Sequence, residues 1–236
     1  MGSTGPYSAR LIYAEAAAFG DGSGGMSYFN PPPIFKRYRD FYARGKTFFE
    51  GYVGAGCVGL WWDDDQNWLI NHNHVHVESL HALSEALSSM AIPYDFISRF
   101  WSKDYPLSSY SVIAAPALKY AADKDVQRLA AFVQRGGILV IDPMFAEFDE
   151  KFRKRTTPLP WGNLPHSGEY QTAYGQGKII CLPHCPNGNA IQEVLSQEAP
   201  QIDPLVTGAD GKTNPWLRCN LMRNARETDV YAVHLA

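Results

Sequence analysis

A three-layer α/β sandwich with a mainly parallel sheet, followed by a C-terminal β-hairpin, is the fold class this sequence predicts. Three observations predict it. From Cys57 to Pro143, short apolar runs alternate with amphipathic stretches of helix length in the order strand, helix, strand, strand, helix, strand. That alternation builds a parallel sheet through crossover connections. The run ILVIDP at 138–143 opens as a continuous, β-branched segment, as a strand covered on both faces requires. The end of the chain, WLRCNLMR then NARET then DVYAVHLA, alternates, turns and alternates again.

The elements follow in order. YSARLIYAEAAAFG reads as one strand and a loop, and DGSGGMSYFNPPP is Gly/Pro-rich punctuation. Ile34, Tyr38, Phe41, Phe48 and Tyr52 then fall at helical spacing behind Pro33, with Lys36, Arg37, Arg39, Asp40, Arg44 and Lys46 on the other face. CVGLWW is a strand ended by the loop DDDQN. A helix follows in HVHVESLHALSEALSSMAI, with Asn73 as N-cap and Leu80, Leu83, Leu87 and Met90 as its buried stripe. YDFIS and SVIAAPA are two more strands. Asp123 is expected to cap the next helix, whose buried face is Val126, Leu129, Ala130 and Val133 and whose end is Gly136-Gly137. The stretch 145–168 is polar and proline-bearing and reads as a long loop. EYQTAYGQGKIICLP reads as two strands around Gly175-Gln176-Gly177, and a short helix over about 189–199 carries Ile191, Val194 and Leu195.

Composition narrows the function classes. The 236 residues are 45% hydrophobic and 19% charged, with a formal charge of −3, which fits a globular protein. No basic stripe tracks a phosphate backbone, so nucleic acid is excluded as the expected partner. No run of eighteen apolar residues exists to span a membrane. Four cysteines (Cys57, Cys181, Cys185, Cys219) are too sparse for a disulfide framework, so a reducing, cytoplasmic setting is expected. Aromatics make up 13% of the chain, which suits a thick core and equally suits surfaces that stack on sugar rings.

The corner after the SVIAAPA strand is where an α/β enzyme stations its nucleophile. An elbow of that kind needs Ser or Cys on a tight turn beside backbone donors. Here it holds Ala115-Pro116-Ala117, and Ser108, Ser109 and Ser111 precede the strand. No catalytic residue is therefore assigned. The loop WWDDDQNW offers Trp61, Trp62, Asp63, Asp64 and Trp68 as ligand-binding candidates at the carboxyl end of the first strand, on the side where open α/β sheets bind ligands. Three consecutive aspartates do not face each other across a bond as paired glycosidase acids must. The same residues equally fit a role in covering the sheet. His72, His74 and His76 open the next helix and are weak metal candidates; they match no ligand signature, and a histidine-bearing polar loop is the commoner reading. Cys181, His184 and Cys185 are half of a zinc cluster without a second half, and Glu15 is a lone acid. No cofactor is expected.

The segment YSVIAAPALKYAADKDVQRLAAFVQRGGILVIDP resembles the trimerisation domain of bacterial β-galactosidases and related glycoside hydrolases, on the strength of Ala115-Pro116-Ala117, the helix from Asp123 to Val133, and Gly136-Gly137 before the strand. The resemblance extends over about residues 53–200. Such domains are flavodoxin-like, similar in fold to class I glutamine amidotransferases, and lack the catalytic cysteine. KRYRDFYARGKTFFEGY is similar to the segment that leaves the catalytic barrel in these enzymes. The resemblance thus implies three parts: 1–52 as the end of a barrel domain with its connecting helix, 53–205 as the α/β domain, and 206–236 as a linker and the start of a β-sandwich. It also implies an accessory and oligomerising role, beside other domains or subunits of a glycoside hydrolase and its carbohydrate. The family's catalytic glutamates lie in barrel segments and match no residue here. Two other readings stand beside this one: a free-standing hydrolase, and a sugar-binding module, either of them using the Trp/Asp/His loops at 61–76.

Overall fold

A computed structural model of the chain describes residues 40, 44, 52–63, 66, 74–98, 106–163, 169–182, 186–214, 217–224 and 229–235. They divide between two compact units. One comprises Gly56–Ser88 and Tyr94–Asp203; the other comprises Met1–Ala55, Ser89–Pro93 and Pro204–Ala236.

The first unit is built on a six-stranded sheet. Its strands are β2 (Val58–Trp62), β3 (Tyr94–Ser98), β4 (Val112–Ala114), β5 (Ile138–Ile141), β6 (Tyr170–Tyr174) and β7 (Gly177–Cys181), in the order β3-β2-β4-β5-β7-β6. All neighbours are parallel except β6 and β7, an antiparallel hairpin in register from Tyr170↔Cys181 to Tyr174↔Gly177. The central strands read as apolar runs because both faces are covered. One face carries Trp61, Ile97, Ile113, Leu139, Ile141, Ile179 and Cys181. It forms a single core with Val126, Leu129, Ala130, Phe132 and Val133 of helix α2 (Asp123–Gln134). Leu60, Val112, Ala114, Val140 and Ile180 alternate with these and are fully buried as well. Helix α1 (His74–Ser89) lies on that second side, where Trp62 meets the His76 ring at 6.2 Å between centroids. Helix α3 (Gly188–Glu198) begins against α1: a Cβ built on Gly188 would stand 2.9 Å from the Ala86 methyl.

Local chemistry explains the boundaries. Asn187 caps α3, its side-chain oxygen accepting from Asn189 N–H and Ala190 N–H at 3.1 Å each. Helix α2 ends where Gly136 takes φ +108, the left-handed region that glycine enters without strain. At its other end the expectation needs correction. Ala122, not Asp123, is the N-cap, and no side chain caps there. Asp123 stands one residue inside, where its charge favours the helix N-terminus and pairs with Arg155.

Two further expectations change. Spacing places Tyr52 on a helix, yet Tyr52–Gly54 is a strand, β1, antiparallel to β8 (Leu217–Asn224). Asp40 and Arg44 are helical, with Arg44 Nε–H donating to the Asp40 carbonyl at 3.2 Å. The long loop after Pro143 is irregular but not merely polar: Phe145, Ala146 and Trp161 sit in the core. In the second unit β1, β8 and β9 (Asp229–Leu235) form a three-stranded antiparallel sheet, which contains the expected C-terminal hairpin. No helix among the described residues is long and apolar enough to cross a membrane.

Candidate functional site

The carboxyl ends of β2, β4 and β5 carry a set of buried polar side chains. Asp63 follows β2 and Asp142 follows β5, while His76 lies in the first turn of α1. With Gln66, all four are between 0% and 3% exposed. Burial on this scale demands hydrogen-bond partners, and the partners are mostly backbone. The His76 Nδ1–H donates to the Pro116 carbonyl at 2.6 Å. Its Nε2 accepts from the Asp63 N–H at 3.2 Å. A carbonyl only accepts and an amide N–H only donates, so the two bonds fix a neutral ring with its proton on Nδ1. Gln66 pairs both ways with Tyr120, donating to its carbonyl at 2.7 Å and accepting from its N–H at 3.2 Å. The Gln66 amide also reaches Asp63 Oδ2 at 3.4 Å.

The elbow itself is occupied by Ala117. Its φ is +48, a left-handed conformation unusual for a residue other than glycine. The Ala117 N–H donates to Asp142 Oδ2, and Asp142 Oδ1 accepts from the Met144 N–H at 2.8 Å. The tight, strained turn of a nucleophile elbow is thus present in outline. Its side chain is a methyl group that is 0% exposed, and the nearby carboxylate is spent holding backbone. The Asp142 charge, after burial, is the second cause that lifts the Cys181 thiol to about 11, so that sulfur is protonated and inert at neutral pH.

The residues named from sequence fall out as follows. Trp61 is 1% exposed, enclosed in the core, with the Arg128 guanidinium carbon 5.9 Å from its ring centroid. It therefore presents no ring face to a sugar. Asp63 is buried and engaged as described. Trp62 is half-buried, edge-on to Phe96 at 6.2 Å and 88°. His74 is the first residue of α1. Asp64, Trp68, His72, His184, Cys185 and Glu15 lie outside the described residues. His76 does not fit the metal role, because both its ring nitrogens are taken. No group of three metal-ligating side chains occurs among the described residues. Sequence reasoning missed Gln66 and Asp142. An acid directly after the β5 run was a visible signal for Asp142; nothing local marks Gln66.

The first unit is therefore an α/β domain that keeps the geometry of an elbow without a reactive group on it. Residues 57–165 match the family model of the β-galactosidase trimerisation domain, which bears out the resemblance read from the sequence. Among solved structures, the chain is similar to a catalytic mutant of Gan42B, a GH42 β-galactosidase from G. stearothermophilus (14% identity, 81% of this chain and 36% of that one, TM-score 0.60). It is also similar to a β-galactosidase from Bacillus circulans sp. alkalophilus (14% identity, 87% and 44%, TM-score 0.59). A third is a β-galactosidase from the haloarchaeon Halorubrum lacusprofundi (13% identity, 83% and 38%, TM-score 0.57). At these identities the likeness shows a shared fold, and the chain spans less than half the length of each. No curated protein sequence matches the chain.

Proposed function

We propose that the chain is an accessory, oligomerising portion of a glycoside hydrolase of β-galactosidase type, without turnover of its own. The observation that carries this is the match of residues 57–165 to a trimerisation domain. The chemistry of the elbow agrees: Ala117 offers no nucleophile, and the surrounding His76, Gln66 and Asp142 are committed to backbone. On this reading residues 1–52 are the end of a catalytic barrel with its connecting helix. Residues 53–205 are the α/β domain, and 206–236 lead into a β-sandwich. Its partners are other domains or subunits of the hydrolase.

The test has two arms. Sedimentation of the purified chain should give a mass above that of the monomer, and a trimer on the closest form of the reading. Aryl-galactosides and aryl-glucosides should remain uncleaved at any chain concentration. Cleavage that disappears in Asp63→Asn would overturn the accessory role in favour of a hydrolase at 61–76. Quenching of tryptophan fluorescence by oligosaccharides without turnover, lost in Trp62→Ala, would favour a sugar-binding module instead.

A further inference from the structure

The segment 147–155, EFDEKFRKR, lies outside the named helices and strands, yet its backbone is pinned throughout. Phe148 N–H donates to the Lys119 carbonyl at 3.0 Å, and Ala121 N–H donates to the Phe148 carbonyl at 3.1 Å. Arg155 holds the segment from beneath. Its Nε–H donates to the Ala146 carbonyl at 3.0 Å, its Nη2 donates to the Ala121 carbonyl at 2.7 Å, and its Nη1 pairs with Asp123. Asp149 closes the turn: Oδ1 accepts from Lys151 N–H and Arg153 N–H at 2.8 and 2.9 Å, and Oδ2 accepts from Arg153 Nε–H at 2.8 Å.

At the tip stands Phe152, with φ +60 and 43% of its surface exposed. Its ring lies 4.9 Å from that of Tyr120, which stacks in turn on Phe148 at 5.1 Å. A bulky side chain at that φ is costly. Such strain persists where surrounding structure enforces it, and it concentrates at functional contacts. A rigid scaffold that holds an aromatic ring out in water has the form of a pre-organised docking anchor.

Charge indicates the partner. Lys151 and Lys154 are exposed beside Phe152, while Arg153 pairs with Asp149 and Arg155 lies beneath, so the exposed charge at the tip is basic by two lysines against Glu150. In contrast, residues 56–98 contain no lysine or arginine, and their exposed acids among the described residues are Glu78 and Glu85. That stretch builds β2, α1 and β3. On it Phe96, in edge strand β3, is 46% exposed and Val75 41%, and Glu78 and Glu85 of α1 are exposed too. The same unit thus carries an aromatic tip flanked by Lys151 and Lys154 and, on different elements, exposed apolar residues beside Glu78 and Glu85. A sugar fits the tip less well. Both Asp149 oxygens are used inside the turn and Glu147 pairs with Lys119, which leaves Glu150 as the one other carboxylate of the segment.

We infer that the Phe152 tip of one copy docks on the α1/β3 face of a second copy. Two different surfaces meet in such a contact, so it is head-to-tail, and it closes into a ring when the rotation allows. The inference rests on the oligomerising role proposed above and names the surfaces that carry it.

The experiment is sedimentation velocity of the full chain across the micromolar range. Phe152→Asn removes the ring and suits the left-handed backbone, so the variant should melt no lower than the parent while its dissociation constant rises about ten-fold or more. The face variant, Glu78→Lys with Glu85→Lys, should lose association to a similar degree, and added salt should weaken the parent. Each variant keeps one intact surface. Mixed together they should form a heterodimer and nothing larger. A monomeric parent would overturn both the oligomerising role and this contact. A trimeric parent whose variants assemble unchanged would overturn the contact alone, as would a mixture that forms no heterodimer. Oligosaccharide binding lost in Phe152→Asn with assembly unchanged would reassign the tip to sugar.

Discussion

Replacing His76 with alanine removes a side chain that joins three elements. The ring is 0% exposed, with Nδ1–H on the Pro116 carbonyl at 2.6 Å and Nε2 on the Asp63 N–H at 3.2 Å. Each backbone group left buried without its partner costs about 1–3 kcal/mol. The vacated volume adds a packing loss, since the ring also contacts Trp62. The sum is about 3–5 kcal/mol. For a domain of this size that corresponds to a melting temperature lower by roughly 10–15 °C. The assay is thermal unfolding followed by tryptophan fluorescence, run with and without added zinc and with a chelator. The expected result is a large drop in the variant and no response of the parent to zinc or chelator. A drop of under about 1 kcal/mol would show that the His76 bonds do not matter. Destabilisation of the parent by the chelator would show that His76 serves a metal after all.

Burial raises the Asp95 carboxyl from 3.8 to about 6, against the opposing pull of hydrogen bonds from Gly56 N–H and the Tyr110 hydroxyl. An acid raised on folding favours the folded state fully below pH 3.8, and that contribution is lost as pH rises through about 6. Stability relative to Asp95→Asn should therefore fall by about 1–3 kcal/mol between pH 4 and 7, the upper figure being trimmed by solvent screening, as urea midpoints across that range will show. Gly177→Ala places a Cβ 2.2 Å from the Gly137 carbonyl oxygen and 2.3 Å from that of Val133, both rigid backbone, and should cost about 3 kcal/mol in urea unfolding. Cys57 and Cys181, each raised by burial to about 11, should react with a disulfide reagent at pH 8 about a hundred-fold more slowly than an unperturbed thiol, read by peptide mass spectrometry.

The sheet was legible because its signals are local. The β-branched run at 138–141, the glycines after α2 and the tight turn at 175–177 each dictate their own conformation. That the corner after β4 holds Ala115-Pro116-Ala117 was legible too, since it is read directly from the chain. Burial of one tryptophan and not its neighbour was not legible. Trp61 and Trp62 differ only in which face of β2 they occupy, and that depends on where α2 packs. His76 read as part of a polar, histidine-bearing loop, with metal binding the weaker alternative, and its structural role was hidden because its partner at Pro116 is forty residues away. The apolar residues of the loop after Pro143 follow no period, so their burial under α2 left no pattern. Asp123 looked like a cap because its long-range partner, Arg155, lies in a segment that reads as solvated charge.

Arg155 has a consequence for motion. One guanidinium ties the carbonyls of Ala146 and Ala121 to the first residue of α2. The tip cannot swing outward on its own, because opening it would also break the Arg155 bonds to the Ala146 and Ala121 carbonyls and its pair with Asp123. A push delivered at Phe152 therefore reaches the buried residues Ala121 and Ala146 through Arg155. Amide protons at its base should exchange with deuterium on the slow clock of the interior, although the tip they support stands in water.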